Sequence, residues 1–256
     1  MKSLLLLLAI FLMDSAISQV HYRILNHNNA SVSISDAGTF FQDFNTNGHL
    51  GYEIPKDSGI RAIYATSFWF GGITSTGDTS YVLGGNPSTG TDVFNGPYSV
   101  VYDDPTYQSD WDSSIWMFTQ EEIENFKFWW EACNGPNANQ PDCSDAVLPS
   151  NETLIKLYSW PGNGNVAIGE AYWLAPYWDY NSDGTYDPSD GDYPLLKGCK
   201  SVYLIQNDDA GIKTLSGTSS LGLEIHYMFY QYRTWDYLND VTFVDVVAIN
   251  RGSNNY

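Results

Sequence analysis

Basic residues are scarce in this chain: 11 Lys and Arg stand against 30 Asp and Glu, a net charge of −19. A nucleic-acid partner is argued against by that balance, because neutralising phosphates takes clustered cations. Attachment to an anionic membrane surface is argued against for the same reason. Long apolar runs are also lacking. After Met13 no segment approaches the roughly 20 apolar residues that a spanning helix needs. Recognisable catalytic signatures are missing: no Gly-x-Ser-x-Gly elbow, phosphate loop, His-Glu-x-x-His pair or dinucleotide fingerprint occurs. No sequence repeat at a fixed period appears. Disorder is excluded, because only 16% of residues are charged while Tyr and Trp are abundant.

What is present begins with an export signal. Met1-Lys2-Ser3 is followed by an uncharged stretch from Leu4 to Met13 and then Ala16-Ile17-Ser18. A lysine, a short apolar core and small residues form the secretory pattern. Cleavage is expected after Ser18. The alternative, a buried N-terminal helix, would make Leu4 to Leu8 apolar on all sides. Lys2 and Asp14 leave together, so the mature charge stays at −19. Export permits oxidation, and Cys133 and Cys143 bracket a polar loop containing Gly135, Pro136 and Pro141. A disulfide between them is the favoured reading; two free thiols are the alternative. Cys199 is left over, and a cysteine beyond Tyr256 would pair it.

The fold class expected is mainly β, sandwich-like, with one short helix. That helix covers Thr119 to Trp130: Thr119 and Glu122 form a capping box, Glu121 and Glu122 suit the first turn, and Ile123, Phe126 and Trp130 share a face. Strands are expected at Ser31–Ser35, Arg61–Phe70 (ending at Gly71-Gly72), Ser201–Ile205, Leu221–Tyr232 and Val241–Ile249. Turn clusters such as Gly84-Gly85-Asn86-Pro87 and Pro161 to Asn165 separate them. In the fourth strand Leu223, Ile225, Tyr227 and Phe229 face one way, and Glu224, His226, Met228 and Tyr230 the other. The chain divides into a signal at 1–18, a β-rich stretch at 19–176, a loop region at 177–198 and a further β stretch at 199–256. It stops in the loop after Ile249, so more chain is expected beyond Tyr256.

One stretch carries a mechanism. Asp179, Asn181, Asp183, Asp187 and Asp190 put side-chain oxygens at positions 1, 3, 5, 9 and 12 of a calcium loop. Gly184 takes position 6, where the chain turns sharply, and Thr185 offers its carbonyl at position 7. From Leu157 to Leu196 there is no Lys or Arg, so the aspartates lack a basic neighbour in sequence and call for a cation. The competing reading is a solvated acidic turn, where Asn, Asp and Gly are common. Magnesium suits an all-protein cage poorly. Position 12 is Asp rather than Glu, so the loop must close tightly or ligate through one oxygen. Pro176 before the loop, with Gly191 and Pro194 after it, rules out flanking helices and a calmodulin-like opening. The loop reads as a static clip.

Around this loop the sequence resembles the large exported proteins of Bacteroidetes that carry a C-terminal type IX secretion sorting domain. The stretches that carry the likeness run in order: Tyr52 to Gly59, Phe68-Trp69-Phe70-Gly71-Gly72, Trp160 to Asn165, Leu174-Ala175-Pro176, the acidic loop with Asp190-Gly191-Asp192-Tyr193-Pro194, Gln206-Asn207-Asp208, Leu223-Glu224-Ile225-His226 and Ile249-Asn250-Arg251. They cover most of the mature chain. The resemblance implies translocation across an outer membrane, a cell-surface or released location and a sorting domain beyond Tyr256; it implies no activity.

The function expected is therefore a calcium-stabilised extracellular module with a structural or adhesive role and a glycan or protein as its ligand. The alternative is carbohydrate binding or glycoside hydrolysis, suggested by nine Trp and abundant carboxylates. Core packing is the ordinary use of most such aromatics. Glu224 and His226, two apart on a strand, suit either a metal or acid–base pair or a plain hydrogen-bonded pair, and the second is favoured. His21, His27 and His49 show no ligand spacing and are expected at the surface.

Overall fold

Alternation of side-chain type organises the centre of the molecule. In the computed structural model, which describes residues 20–42, 51–74, 76–85, 90–102 and 104–253, the strands in chain order are β1 (Tyr22–Leu25), β2 (Ser31–Ser35), β3 (Tyr52–Glu53), β4 (Arg61–Ile63), β5 (Trp69–Ile73), β6 (Thr79–Leu83), β7 (Phe94–Asn95) and β8 (Trp116–Thr119). They continue with β9 (Tyr177–Trp178), β10 (Tyr193–Pro194), β11 (Lys200–Asn207), β12 (Leu223–Gln231) and β13 (Phe243–Asn250). The expected signal segment, His49, Asn86-Pro87 and Tyr256 lie outside the described residues.

The chain is mainly β, with antiparallel sheets. The central sheet runs β13-β12-β11-β7, and β8 shares the β7 edge of β11. Pairing of Tyr203 with Met228 and Glu224 with Ile249 fixes its register. One face, with Val202, Leu204, Ile225, Tyr227 and Phe229, joins a buried cluster with Leu25, Val32, Ile34 and Phe40 from the region of the β1-β2-β3-β4 sheet. The other face, with Tyr203, Ile205, Met228 and Tyr230, packs with Phe118, Phe126, Trp130, Leu157 and Trp160. Both faces of β11 and β12 are therefore covered, which is why β12 alternates in side-chain type but not in burial.

The second face carries the departure from a sheet-on-sheet plan: its cover is helical. The expected helix is present as α2 (Gln120–Cys133), after α1 (Pro105–Trp111) and before α3 (Gln140–Asp145) and α4 (Asn151–Tyr158). Four α-helices among the described residues correct the expectation of one. The Thr119–Glu122 capping box is made on both sides, and Glu122 also accepts from Thr153 Oγ1 (3.0 Å) and Lys156, tying α2 to α4. A second correction concerns Arg61 to Phe70. It splits into β4 and β5, and β5 runs through Gly71-Gly72 to Ile73, because β6 pairs with it along its length and Tyr81 lies across Gly71.

The central sheet also draws strands from both expected β stretches, since β7 and β8 pair with β11. The ends of the chain meet at Gln231. Its buried Oε1 accepts the His27 N–H (2.7 Å), and its Nε2 reaches the carbonyls of Ala30 (3.3 Å) and Leu25 (3.4 Å).

Candidate metal centre

The segment from Asp179 to Asp192 is a loop closed at its base, because Tyr177 and Trp178 of β9 pair with Pro194 and Tyr193 of β10. Asp and Asn side chains shape each bend by capturing nearby backbone N–H groups. Asp179 Oδ2 accepts from Gly184 N (2.8 Å), Asn181 Oδ1 from Asp183 N (3.0 Å), Asp183 Oδ1 from Thr185 N (2.7 Å) and Asp187 Oδ1 from Ser189 N (2.8 Å). Gly184 has φ +82°, a left-handed conformation that favours glycine. The sharp turn required at position 6 is thus made.

Three residues outside the expected ligand set hold the loop, one from within it and two from neighbouring segments. Fully buried Asp192 accepts from Tyr180 N (2.8 Å) and Asp187 N (2.9 Å). Burial raises its pKa, the two N–H groups oppose the shift, and the charges of Asp179 and Asp183 add to it. Asn163 accepts from Tyr186 N (2.6 Å) and donates to the Gly184 carbonyl (3.2 Å), so the Trp160–Asn165 stretch lies against the loop. Trp130 of α2 donates Nε1–H to the Ser189 carbonyl (2.9 Å), and its ring meets Tyr180 edge-on at 4.6 Å. Gly191, at φ +96°, sits so close that an added Cβ would lie 2.9 Å from the Trp130 ring. Sequence spacing gives no sign of Asn163 or Trp130, which lie 21 to 59 residues from the loop groups they bond.

Whether the donor set suits a hard cation is tested by two oxygens and one amide. Asp179 Oδ1 is buried and has no hydrogen-bond partner. The Asn181 Nδ2 group donates to both Asp183 Oδ2 (3.0 Å) and Asp190 Oδ2 (3.2 Å). Positions 3, 5 and 12 are therefore drawn to one point, where amide hydrogens hold two carboxylates together. The Thr185 carbonyl accepts no hydrogen bond from any described residue. The turns at Asp179, Asp183 and Asp187 each occupy one carboxylate oxygen with backbone; the second oxygen of Asp183 accepts from Asn181 Nδ2, and that of Asp179 is left. The oxygen chemistry fits calcium. The carboxylates are nonetheless spread along the loop: among the described residues, no three His, Cys, Asp or Glu side chains are gathered tightly enough to form a metal cluster.

Glu224 and His226 form part of a longer chain. Glu224, 0% exposed, accepts from His226 Nε2 (3.0 Å), Arg251 Nη2 (2.7 Å) and Tyr98 N (3.0 Å). His226 Nδ1 lies 2.6 Å from the Tyr203 hydroxyl. The third partner not identifiable in sequence is Arg251, with Tyr203 at the other end. Burial raises the Glu224 carboxyl, but the bonds and charges of His226 and Arg251 outweigh it and hold the pKa below its usual value. A depressed carboxylate pKa contributes stability above the unfolded value of about 4.3, and that contribution is lost as pH falls through the folded value. The urea-midpoint gap between the natural chain and Glu224→Gln is accordingly expected to be wide at pH 7 and to narrow at pH 3. A constant gap would rule out this linkage.

The remaining candidates are dispersed. His21 is half-buried and paired with Asp36 at 3.0 Å, and His27 is half-buried rather than at the surface; neither is near another histidine's ligand set. Trp116, Trp130 and Trp160 are core, Trp111 and Trp129 pack against it, and Trp69, Trp173, Trp178 and Trp235 are exposed. Cys133 and Cys143 are bridged (S–S 2.01 Å), joining the end of α2 to α3; Cys199 is a half-buried free thiol. No helix among the described residues is long and apolar enough to cross a membrane. No family model, curated protein or solved structure matches the chain.

Proposed function

We propose that this chain is an exported extracellular module, structural or adhesive in role, whose loop Asp179–Asp190 binds one calcium ion as a static clip. The observation that carries the reading is the buried Asp179 Oδ1, an oxygen with no hydrogen-bond partner in a loop rich in carboxylates. Calcium would be held by Asp179, Asn181, Asp183, the Thr185 carbonyl, Asp187 and Asp190. It would supply the positive charge that the sequence withholds from this segment. The base pairing of β9 with β10 supports a clip over a switch, because the loop has no flanking helices to swing apart.

Export is supported by the apolar leader Leu4–Met13 and by the Cys133–Cys143 bridge, which suits an oxidising compartment. The likeness to type IX-secreted proteins of Bacteroidetes adds the cell surface or release from it as the destination. In this reading the β-sandwich-like part is the packing of the small sheet on the central one, with the helices as an added layer.

Calcium titrated into chelator-treated protein tests the proposal. At one hundred times its dissociation constant, the ion should stabilise the fold by about 2.7 kcal/mol. For a chain of this size that is a melting-temperature rise of roughly 5–10 °C. Asp183→Ala is expected to melt alike with and without calcium. Identical melting of the natural chain in calcium and in chelator would sink the reading.

A further inference from the structure

Beside the loop lies a cavity of about 520 Å³ that the calcium reading does not use. One wall is the approach to the loop, with Trp173, Leu174 and Tyr177; the other is the β12–β13 sheet face, with Met228, Val247 and Ile249. Its size and apolar character are those of small-molecule sites, which add a few placed polar groups to such walls. Trp173 is 58% exposed, and its ring lies 26° from parallel with Tyr177, at 5.8 Å.

The polar groups that line the cavity decide what it takes. Lys197 and Asp245 are paired with each other. His226 is fixed by Glu224, whose carboxylate is ionised and therefore receives the Nε2 proton. The Tyr203 hydroxyl is hydrogen-bonded to the other ring nitrogen, Nδ1, at 2.6 Å. Burial, with the charge of Glu224 behind it, pushes the Tyr203 hydroxyl well above the ordinary tyrosine value, so it keeps its proton. Its oxygen retains a lone pair for one more donor. Asp179 also lines the cavity; its Oδ2 accepts from Gly184 N (2.8 Å), and its unpartnered Oδ1 is the oxygen assigned to calcium in the reading above.

We propose that this cavity binds a neutral, largely apolar, ring-bearing molecule with a single hydrogen-bond donor, received by the Tyr203 hydroxyl oxygen. Lys197 and Asp245 satisfy each other, so outside the calcium loop the cavity offers no unpaired charge, and a charged ligand would lie against its apolar walls uncompensated. A sugar would leave most of its hydroxyls against Leu174, Met228, Val247 and Ile249 with no partner. The cavity thus favours an aromatic alcohol over the carbohydrate that the exposed tryptophans first suggest.

Isothermal titration with four probes, calcium present throughout, tests this: 2-naphthol, its methyl ether, naphthalene-2-sulfonate and methyl glucoside. The naphthol is expected to bind most tightly, with the ether about tenfold weaker for want of the donor. Tyr203→Phe should abolish the difference between naphthol and ether while leaving ether affinity in place. Val247→Trp, on the half-exposed edge strand, fills the cavity and should weaken both by tenfold or more; Ile249→Phe fills it from the next inward position should the first variant fail to fold. Tighter binding of the sulfonate or glucoside, no binding of the naphthol, or unchanged naphthol affinity in both folded cavity-filling variants would overturn the proposal.

Discussion

Asp208→Asn is expected to remove about 3–5 kcal/mol of folding stability, the cost of leaving a buried charge without its partner. Asp208 is 0% exposed, and the charge it leaves behind is the Lys213 ammonium, whose side chain is 3% exposed, at 3.4 Å. The ammonium also meets the carbonyls of Tyr81 and Ser219 (3.0 Å), which stabilise it without neutralising it. The carboxylate meanwhile accepts from Leu221 N (2.6 Å), Leu223 N (2.7 Å) and Ser220 Oγ (3.1 Å), so it ties down the whole connection between β11 and β12. Against a typical total of about 5–15 kcal/mol the loss is a large fraction. Adding Lys213→Met removes the orphaned ammonium, so the double variant is expected to be more stable than Asp208→Asn alone. Urea unfolding of the four chains measures the coupling. A double variant no better than the single would show that the backbone acceptor role, and not the ion pair, sets the cost.

Trp130→Ala has an expected loss of similar size, about 3–5 kcal/mol for a buried aromatic. It has a second consequence that Phe126→Ala, on the same helix face and buried in the same cluster, should not share. Trp130 supports the loop at three points: the Ser189 carbonyl, the Tyr180 ring and the close approach of Gly191. Its removal is expected to weaken calcium binding by tenfold or more, the equivalent of one lost charge-supporting contact of about 1.4 kcal/mol. Phe126→Ala should destabilise the fold and leave calcium affinity unchanged. Equal calcium affinity in the two variants would detach the loop from α2.

Much of the central sheet was legible in the sequence because its strands alternate in side-chain type. β11 (Lys200–Asn207) contains the expected Ser201–Ile205 and extends it by one residue before and two after, and the two faces of β12 fall as the pattern requires. The Thr119 cap was equally readable, since a capping box is a local, three-residue device. The other helices escaped for a physical reason. α1 buries none of its residues, so it leaves no apolar period to detect. Its signals are the Asp104 cap with Pro105 at the first turn; the Asn139 cap with Pro141 marks α3 in the same way. Proline there was weighted as a loop former. α4 shows its capping Ser150 but too little length for periodicity to stand out. At the candidate site the spacing of Asp179, Asn181, Asp183 and Asp190 was legible, while Asp192, Asn163 and Trp130 were not. Their work is to brace the loop through backbone contacts, and such contacts leave no spacing rule in the chain. Arg251 was likewise invisible as the counter-charge of Glu224, 27 residues away.

Gln231 sets an order of events. Its amide joins β12 to His27 and Ala30, 204 and 201 residues earlier in the chain, and the first hairpin buries its apolar side in a cluster that β11 and β12 complete. The first hairpin therefore completes its native packing only after β11 and β12 have been made. Contacts of such long range slow folding, because loop closure must come before its reward. A nascent chain built this way holds its first hairpin loose and threadable until β11 and β12 have emerged, and the two sheets then condense together.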